Sequence, residues 1–198
     1  MNGRGEAARM LLAHAKVQYK DCRVQGKDWP ALKPTMPGGG MPTIVFKDGK
    51  KMGQSQNIVR YLGKCYGYYP KDSLEAAKVD YMVANYMEAF GAFNVPHAGP
   101  ADKKAANIDE IFDKVLPAFM KKLVPNLKET GFLCGTTLTI ADFWIGGLYV
   151  NLMNNPAVGF APERWAEAKV HYPAFAAYGE RFAKELTDYL SKRPPRPI

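Results

Sequence analysis

The sequence predicts an α/β domain over residues 1–68 and an all-helical domain over residues 75–198, joined by a linker at 69–74. Three observations carry this expectation. Helical and β-type patterns alternate through the first 68 residues, the β signals stop beyond Tyr69-Pro70-Lys71-Asp72, and apolar residues then recur at three- and four-residue spacing in several later segments. The linker is placed where Pro and charged residues separate the two compositions.

Residues 6–16, EAARMLLAHAK, are rich in Ala, Leu and Met and follow a Gly-containing stretch, which reads as a helix. Val17-Gln18-Tyr19 and Arg23-Val24 predict a short strand after it, and Trp29 to Lys33 a loop or helical turn. The stretch TMPGGGMP, ending at Pro42, holds too much Gly and Pro for a regular element. Thr43-Ile44-Val45-Phe46 is β-branched and aromatic, and Asp48-Gly49 marks a hairpin turn. Ser55 is placed as the cap of a helix running through Leu62, with Gly63 or Gly67 near its end. Helices are predicted over 73–93, 103–122, 139–152 and 173–190. Thr139 and Asp142 have the spacing of a capping box at the start of a buried helix. The last six residues, from Arg193, read as an extended tail.

Composition narrows the function classes. With 198 residues, 47% hydrophobic and 23% charged, the chain has an ordinary globular composition, and no run approaches the roughly 18 to 20 apolar residues of a membrane helix. The first ten residues carry two Arg and one Glu with no apolar segment, so no secretory signal is readable and a cytoplasmic location is expected. Cys22, Cys65 and Cys134 are far apart and lack metal-ligand spacing, which predicts reduced, mostly packed thiols and no metal site. His14, His97 and His171 have no Cys or carboxylate partner at catalytic or metal spacing and are read as structural or surface residues. The net charge of +8 invites a nucleic-acid reading, but the basic residues are scattered and no nucleic-acid motif accompanies them. The same charge serves solubility or attraction of small anions.

Several segments bear chemistry. A Pro directly before a strand, as in Gly40-Met41-Pro42, is either an ordinary trans strand start or a cis turn that exposes the Met41 backbone for pairing with an extended peptide. Gln54-Ser55 at a helix start is either a routine cap or a carboxylate site at the positive end of the helix dipole. Trp29 and Lys33 are a packed aromatic with a solvated charge, or a donor and a cation for an exposed anion.

Read together, Gly3-Arg4-Gly5-Glu6-Ala7-Ala8-Arg9, Asp28-Trp29-Pro30 with Lys33, Gly40-Met41-Pro42, Gln54-Ser55 before Arg60-Tyr61-Leu62, and Thr139-Ile140-Ala141-Asp142-Phe143 resemble the cytosolic glutathione transferases. Their order and spacing are most similar to the sigma class. The resemblance spans nearly the whole chain and implies a thioredoxin-like N-terminal domain, a helical C-terminal domain, a homodimer, and glutathione as substrate or cofactor with no metal. It implies that Gln54 and Ser55 hold the γ-glutamyl carboxylate, that Trp29 and Lys33 reach the glycyl carboxylate, and that Met41 and Pro42 hold the cysteinyl backbone. Arg4 matches a cation beside the thiol, where it favours the thiolate.

The resemblance also implies an apolar electrophile pocket near Tyr86, Met87, Phe90 and Phe93, although core packing explains these residues equally well. Glu88 lies near an acid that the family contributes across the dimer to glutathione's amino group. The family's thiol-supporting Tyr aligns about three positions ahead of Met1, together with the first strand, and residues 1–18 hold no Ser, Thr, Tyr or Cys to replace it. Loss of one preorganised donor to a developing anion costs roughly 10² to 10³ in rate. Three readings stand: conjugation of glutathione to small apolar electrophiles, a glutathione-dependent isomerase or peroxidase, and an inactive structural or interaction subunit of a larger assembly, as lens crystallins of this class illustrate.

Overall fold

The computed structural model describes residues 3–93 and 100–194. A one-turn 3-10 helix at Gly3–Gly5 leads into α1 (Glu6–His14). A helical turn, α2 (Trp29–Leu32), is flanked by 3-10 turns, and a hairpin of β1 (Ile44–Val45) and β2 (Lys51–Met52) precedes α3 (Ser55–Tyr66). The second half holds α4 (Ser73–Phe93), then α5 (Ala101–Glu110), which continues through a π-helical turn at Ile111–Val115 into α6 (Leu116–Leu123). It ends with α7 (Ile140–Leu148), extended by a second π turn at Tyr149–Met153, then α8 (Ala161–Ala168), α9 (Pro173–Glu185) and α10 (Thr187–Lys192). None of the described helices is long and apolar enough to cross a membrane.

The hairpin forms as its turn chemistry predicts. Gly49 takes φ +82° and the strands pair antiparallel with Ile44 opposite Met52 and Val45 opposite Lys51. Helix α3 ends at Gly67, whose φ of +83° is a left-handed cap that a side chain would strain. Helix α7 is buried along its whole length and packs on α1, α3, α4 and α9. It is the axle of the molecule: Met10 and Leu11 of α1, Ile58 of α3 and Phe182 of α9 are all fully buried in one core with it.

Several expectations change. Residues 17–25 form no strand, because a strand exists only where a neighbour completes its ladder, and the sheet described here is β1 and β2 alone. That segment is held instead by side-chain charge, with Asp21 bridging Arg9 and Arg23. The predicted 173–190 helix breaks at Leu186 into α9 and α10. All three cysteines are free, but Cys22 and Cys65 are exposed rather than packed, Cys65 on the outer face of α3. Arg193 is no loose tail residue: its guanidinium bonds Glu6, Asn151 and the Val150 carbonyl. Helix α8, absent from the sequence-based expectation, is anchored by Trp165, whose ring meets Tyr149 and Phe175 edge-on.

Candidate functional site

Most of the residues singled out for anion and peptide binding stand on one loop-and-hairpin assembly. Trp29 opens α2 and Lys33 is its C-cap, donating its N–H to the Trp29 carbonyl, so the two side chains share one side of a helical turn. The following loop doubles back through Gly38 and Gly39, both at φ near +60°, and the Lys33 stem closes to 3.6 Å of the place a Gly39 Cβ would occupy. Two contacts strap this loop to β2 and the entrance of α3. Lys51 Nζ donates to the Thr35 carbonyl at 2.8 Å, and Gly53 lies so close to Pro37 that an added Cβ would meet its ring at 3.1 Å. The Met41–Pro42 peptide is cis, Met41 is 50% exposed, and Thr43 Oγ1 donates to the Gly40 carbonyl at 3.0 Å just beyond.

At α3 the expected cap shifts by one residue. Gln54, not Ser55, is the N-cap: its carbonyl accepts the Ile58 N–H at 2.9 Å, and its dihedrals of φ +66° and ψ +109° lie outside the helix, so Ser55 is already the first helical residue. A non-glycine residue held there costs of order 1–3 kcal/mol, the kind of strain that gathers at ligand clamps. The first amides of the helix, from Ser55 to Asn57, have no carbonyl four residues back inside it. Ser55 is buried, its Oγ has no hydrogen-bond partner among the described residues, and the Gln54 side chain is exposed without a cap bond. The result is a cluster of free donors at the positive end of a twelve-residue helix, chemically suited to a carboxylate.

Arg4 lies elsewhere, on the side of α4. Its guanidinium carbon stands 5.2 Å from the centre of the Phe90 ring, which joins the supporting cation to the expected electrophile pocket. Tyr86 and Phe93 are buried beside Phe90 and packed ring to ring with it or with one another. A cavity of only about 20 Å³ remains here, bordered by Gly3, Glu6, Tyr86, Phe90, Trp144 and Asn151. Burial pushes the Tyr86 hydroxyl pKa far above its ordinary range, so it stays protonated. Met87 is half-buried against the core.

Trp144 is the residue that sequence reasoning missed. It is 97% buried, by an exposure of 3%, and its indole Nε1–H has no partner among the described residues. The available signal was an aromatic with a polar handle inside the otherwise apolar stretch that opens at Thr139. Glu88 is exposed on α4 beside Met87 and bonded to Lys122 Nζ at 2.6 Å. His14 bonds the Tyr68 hydroxyl at 2.7 Å and His171 sits in a 3-10 turn, while His97 lies outside the described residues. Among the described residues no group of three or more His, Cys, Asp or Glu could hold a metal ion.

A larger cavity of about 540 Å³ opens between the start of α4 and residues 125–134, lined by Leu74, Tyr81, Met82, Leu127 and Cys134 among others. None of the residues named above as site candidates lines it. Burial pushes the Cys134 thiol up to about 11, which leaves it protonated and a poor nucleophile at neutral pH.

The comparisons agree with this arrangement at both ends of the chain. Residues 5–70 match the family described as glutathione S-transferase, N-terminal domain, and residues 76–193 match glutathione S-transferase, C-terminal domain. Hematopoietic prostaglandin D synthase of Gallus gallus is 33% identical, over 100% of this chain and 95% of its own. S-crystallin SL11 of Nototodarus sloanii is 28% identical, over 96% of this chain and 92% of its own. Among solved structures, monomeric Na-GST-3 from the hookworm Necator americanus has a TM-score of 0.82 at 26% identity, covering 98% of this chain and 94% of that one. The chain belongs to the glutathione S-transferase family.

Proposed function

We propose that this protein is a sigma-like glutathione transferase that joins the glutathione thiolate to small apolar electrophiles, acting in the cytoplasm as a homodimer of chains divided at residues 69–74. The observation that carries the reading is the group of unpartnered donors at Gln54 and Ser55, tied through Gly53 and Pro37 to the loop that bears Lys33 and Met41. In this reading the α3 N-terminus with Gln54 and Ser55 takes the γ-glutamyl carboxylate. Trp29 Nε1–H and Lys33 take the glycyl carboxylate, and the backbone of Met41 before Pro42 pairs with the cysteinyl unit. Arg4 favours the thiolate by its charge, and the sulfur forms a bond to carbon as the leaving group departs with the electron pair.

The electrophile sits against Tyr86, Met87 and Phe90 once the small cavity beside them widens. Trp144 Nε1–H then favours electrophiles that carry a hydrogen-bond acceptor, because an unpaired buried donor is costly. Glu88 would exchange Lys122 for the amino group of a glutathione bound by the partner subunit. Residues 1–18 supply Arg4 and no hydroxyl or thiol to support the sulfur. The similarity to a protein named S-crystallin favours a second reading, a non-catalytic subunit. The relative named prostaglandin D synthase favours glutathione-dependent isomerisation on the same binding residues.

Glutathione titration of Ser55→Ala and Lys33→Ala tests the binding site, with each variant expected to weaken affinity about ten-fold, the worth of one hydrogen bond to a charged group. Unchanged affinity in both would remove the assignment. Conjugation of glutathione to chlorodinitrobenzene then separates the readings: turnover supports the transferase, and binding without turnover moves the weight to the structural subunit.

A further inference from the structure

The basic excess is not shared between the two halves. Residues 1–70 hold 12 Lys and Arg against 4 Asp and Glu, whereas residues 71–198 hold 15 of each, so the first half carries the entire net charge of +8. Three of its four acids are engaged internally. Glu6 is buried between Arg9 and Arg193, Asp21 bridges Arg9 and Arg23, and Asp48 pairs with Lys50 at 2.9 Å. The same pairs tie up the arginines of this half, Arg60 is held by Asp80, and Arg4 covers the Phe90 ring.

What faces outward is therefore lysine. Lys27, Lys33, Lys47, Lys50 and Lys51 are all exposed and stand on the loop and hairpin that Lys51 and Gly53 strap together, with Asp28 and Asp48 as the acids of the stretch. Lys27, Lys33 and Lys47 have no carboxylate within ion-pair distance among the described residues. The helical half packs on α1 and α3, and the hairpin turns Ile44 and Met52 toward the core while Val45 and Lys51 stay exposed. Two apolar side chains stand among the lysines: Met41 is 50% exposed, and Val45 is 58% exposed directly opposite Lys51 in the hairpin register.

We propose that this loop-and-hairpin surface docks on an anionic lipid bilayer, its lysines over the headgroup phosphates and carboxylates and Met41 and Val45 at headgroup depth. The inference does not require the glutathione reading, which uses Lys33 and the Met41 backbone of the same assembly; Lys27, Lys47, Lys50 and Val45 lie outside the residues assigned to glutathione. An ammonium is a compact point charge suited to a diffuse anionic field, whereas bidentate reading of bases and phosphates calls for guanidinium, and those of this half are engaged within the protein. Exposed Val and Met add nothing to base stacking but do gain from a lipid interface. Exposed lysines gathered along one loop and hairpin make the kind of basic segment that anionic leaflets attract.

Co-sedimentation of the full chain with phosphatidylcholine vesicles containing one-third phosphatidylserine, at roughly 0.1 M salt, tests this against vesicles of phosphatidylcholine alone. Binding is expected to the anionic vesicles only. Each lysine removed should weaken it about five-fold, so Lys47→Gln loses about five-fold and Lys27→Gln/Lys47→Gln/Lys50→Gln about 100-fold. Lys121→Gln/Lys169→Gln/Lys184→Gln removes the same charge from exposed positions of the helical half and should change binding less than about two-fold. Matching thermal melts of the variants establish that each is folded. Failure to bind anionic vesicles, equal losses in the two triple variants, or tighter binding to a labelled DNA duplex than to the vesicles would each overturn the proposal.

Discussion

Asp142 shows how a buried charge is kept. Its carboxylate accepts from the Thr139 N–H at 2.7 Å, the Thr139 hydroxyl at 2.9 Å, the Leu133 N–H at 3.1 Å and the Tyr178 hydroxyl at 3.1 Å. Burial still pushes its pKa up, and those bonds offset part of the cost. The Thr139 contact was legible from spacing, but the Leu133 and Tyr178 contacts come from outside the helix and were not. Asp21 is the opposite case: partial burial works against its charge, yet hydrogen bonds from Arg23 and Arg9 outweigh it and hold the carboxyl below its ordinary 3.8. A carboxyl depressed on folding stabilises the folded state above its unfolded pKa, and that contribution is lost as pH falls through its folded value. Asp21→Asn should therefore lower stability by at most about 1 kcal/mol at pH near 6, after solvent screening. Urea midpoints of the two proteins are expected to converge below a pH of about 4, and a gap that widens on acidification would reverse the sign assigned to this group.

At the scale of elements, α7 demands glycine where other helices come closest. A Cβ at Gly146 would enter the ring of Phe182 on α9, and one at Gly179 would enter the ring of Tyr149. Gly146→Ala is expected to destabilise by about 1–3 kcal/mol through overpacking, read as a lower midpoint in thermal unfolding. A midpoint equal to that of the unchanged protein would mean that the α7 and α9 contact yields without cost. The positions of the long helices were legible because a 3.6-residue period repeats several times in each. Residues 17–25 were not, because β-branched composition signals fitness for a sheet without supplying the neighbouring strand. Helix α8 was hidden for a related reason: eight residues are too few for a clear period, and its stability comes from Trp165 between Tyr149 and Phe175.

The two ends of the chain meet at one buried carboxylate. Glu6 accepts from the Tyr189 hydroxyl at 2.8 Å and the Arg193 guanidinium at 3.0 Å, and Arg9 completes its shell at 3.2 Å. This holds α10 to α1, beside the 3-10 turn that carries Arg4. Arg193→Ala removes one cation from Glu6 and leaves the Val150 carbonyl and Asn151 without that donor, at an expected cost of about 2–3 kcal/mol. Proteolysis near α10 in that variant should accelerate accordingly, and an unaltered rate would show that the apolar face of α10 suffices to hold it.

The sequence by itself determined the order of the two halves, the hairpin turn at Asp48-Gly49, the long helices and the capping pair Thr139 and Asp142. Its resemblance to the glutathione transferases also marks Trp29, Lys33, Met41, Pro42, Gln54 and Ser55 as candidate ligands of a peptide with two carboxylates. The hairpin turn, the capping pair and the helix periods are each written in consecutive residues, in patterns that act locally. Only the tertiary structure decided that Gln54 rather than Ser55 caps α3, that Arg4 stands over Phe90, that Glu88 turns to Lys122, that the indole N–H of Trp144 finds no partner among the described residues, and that Arg193 closes on Glu6. Each of those outcomes depends on where a side chain or backbone group finds its partner in space, and local pattern carries no record of partners brought together from distant elements by a shared core.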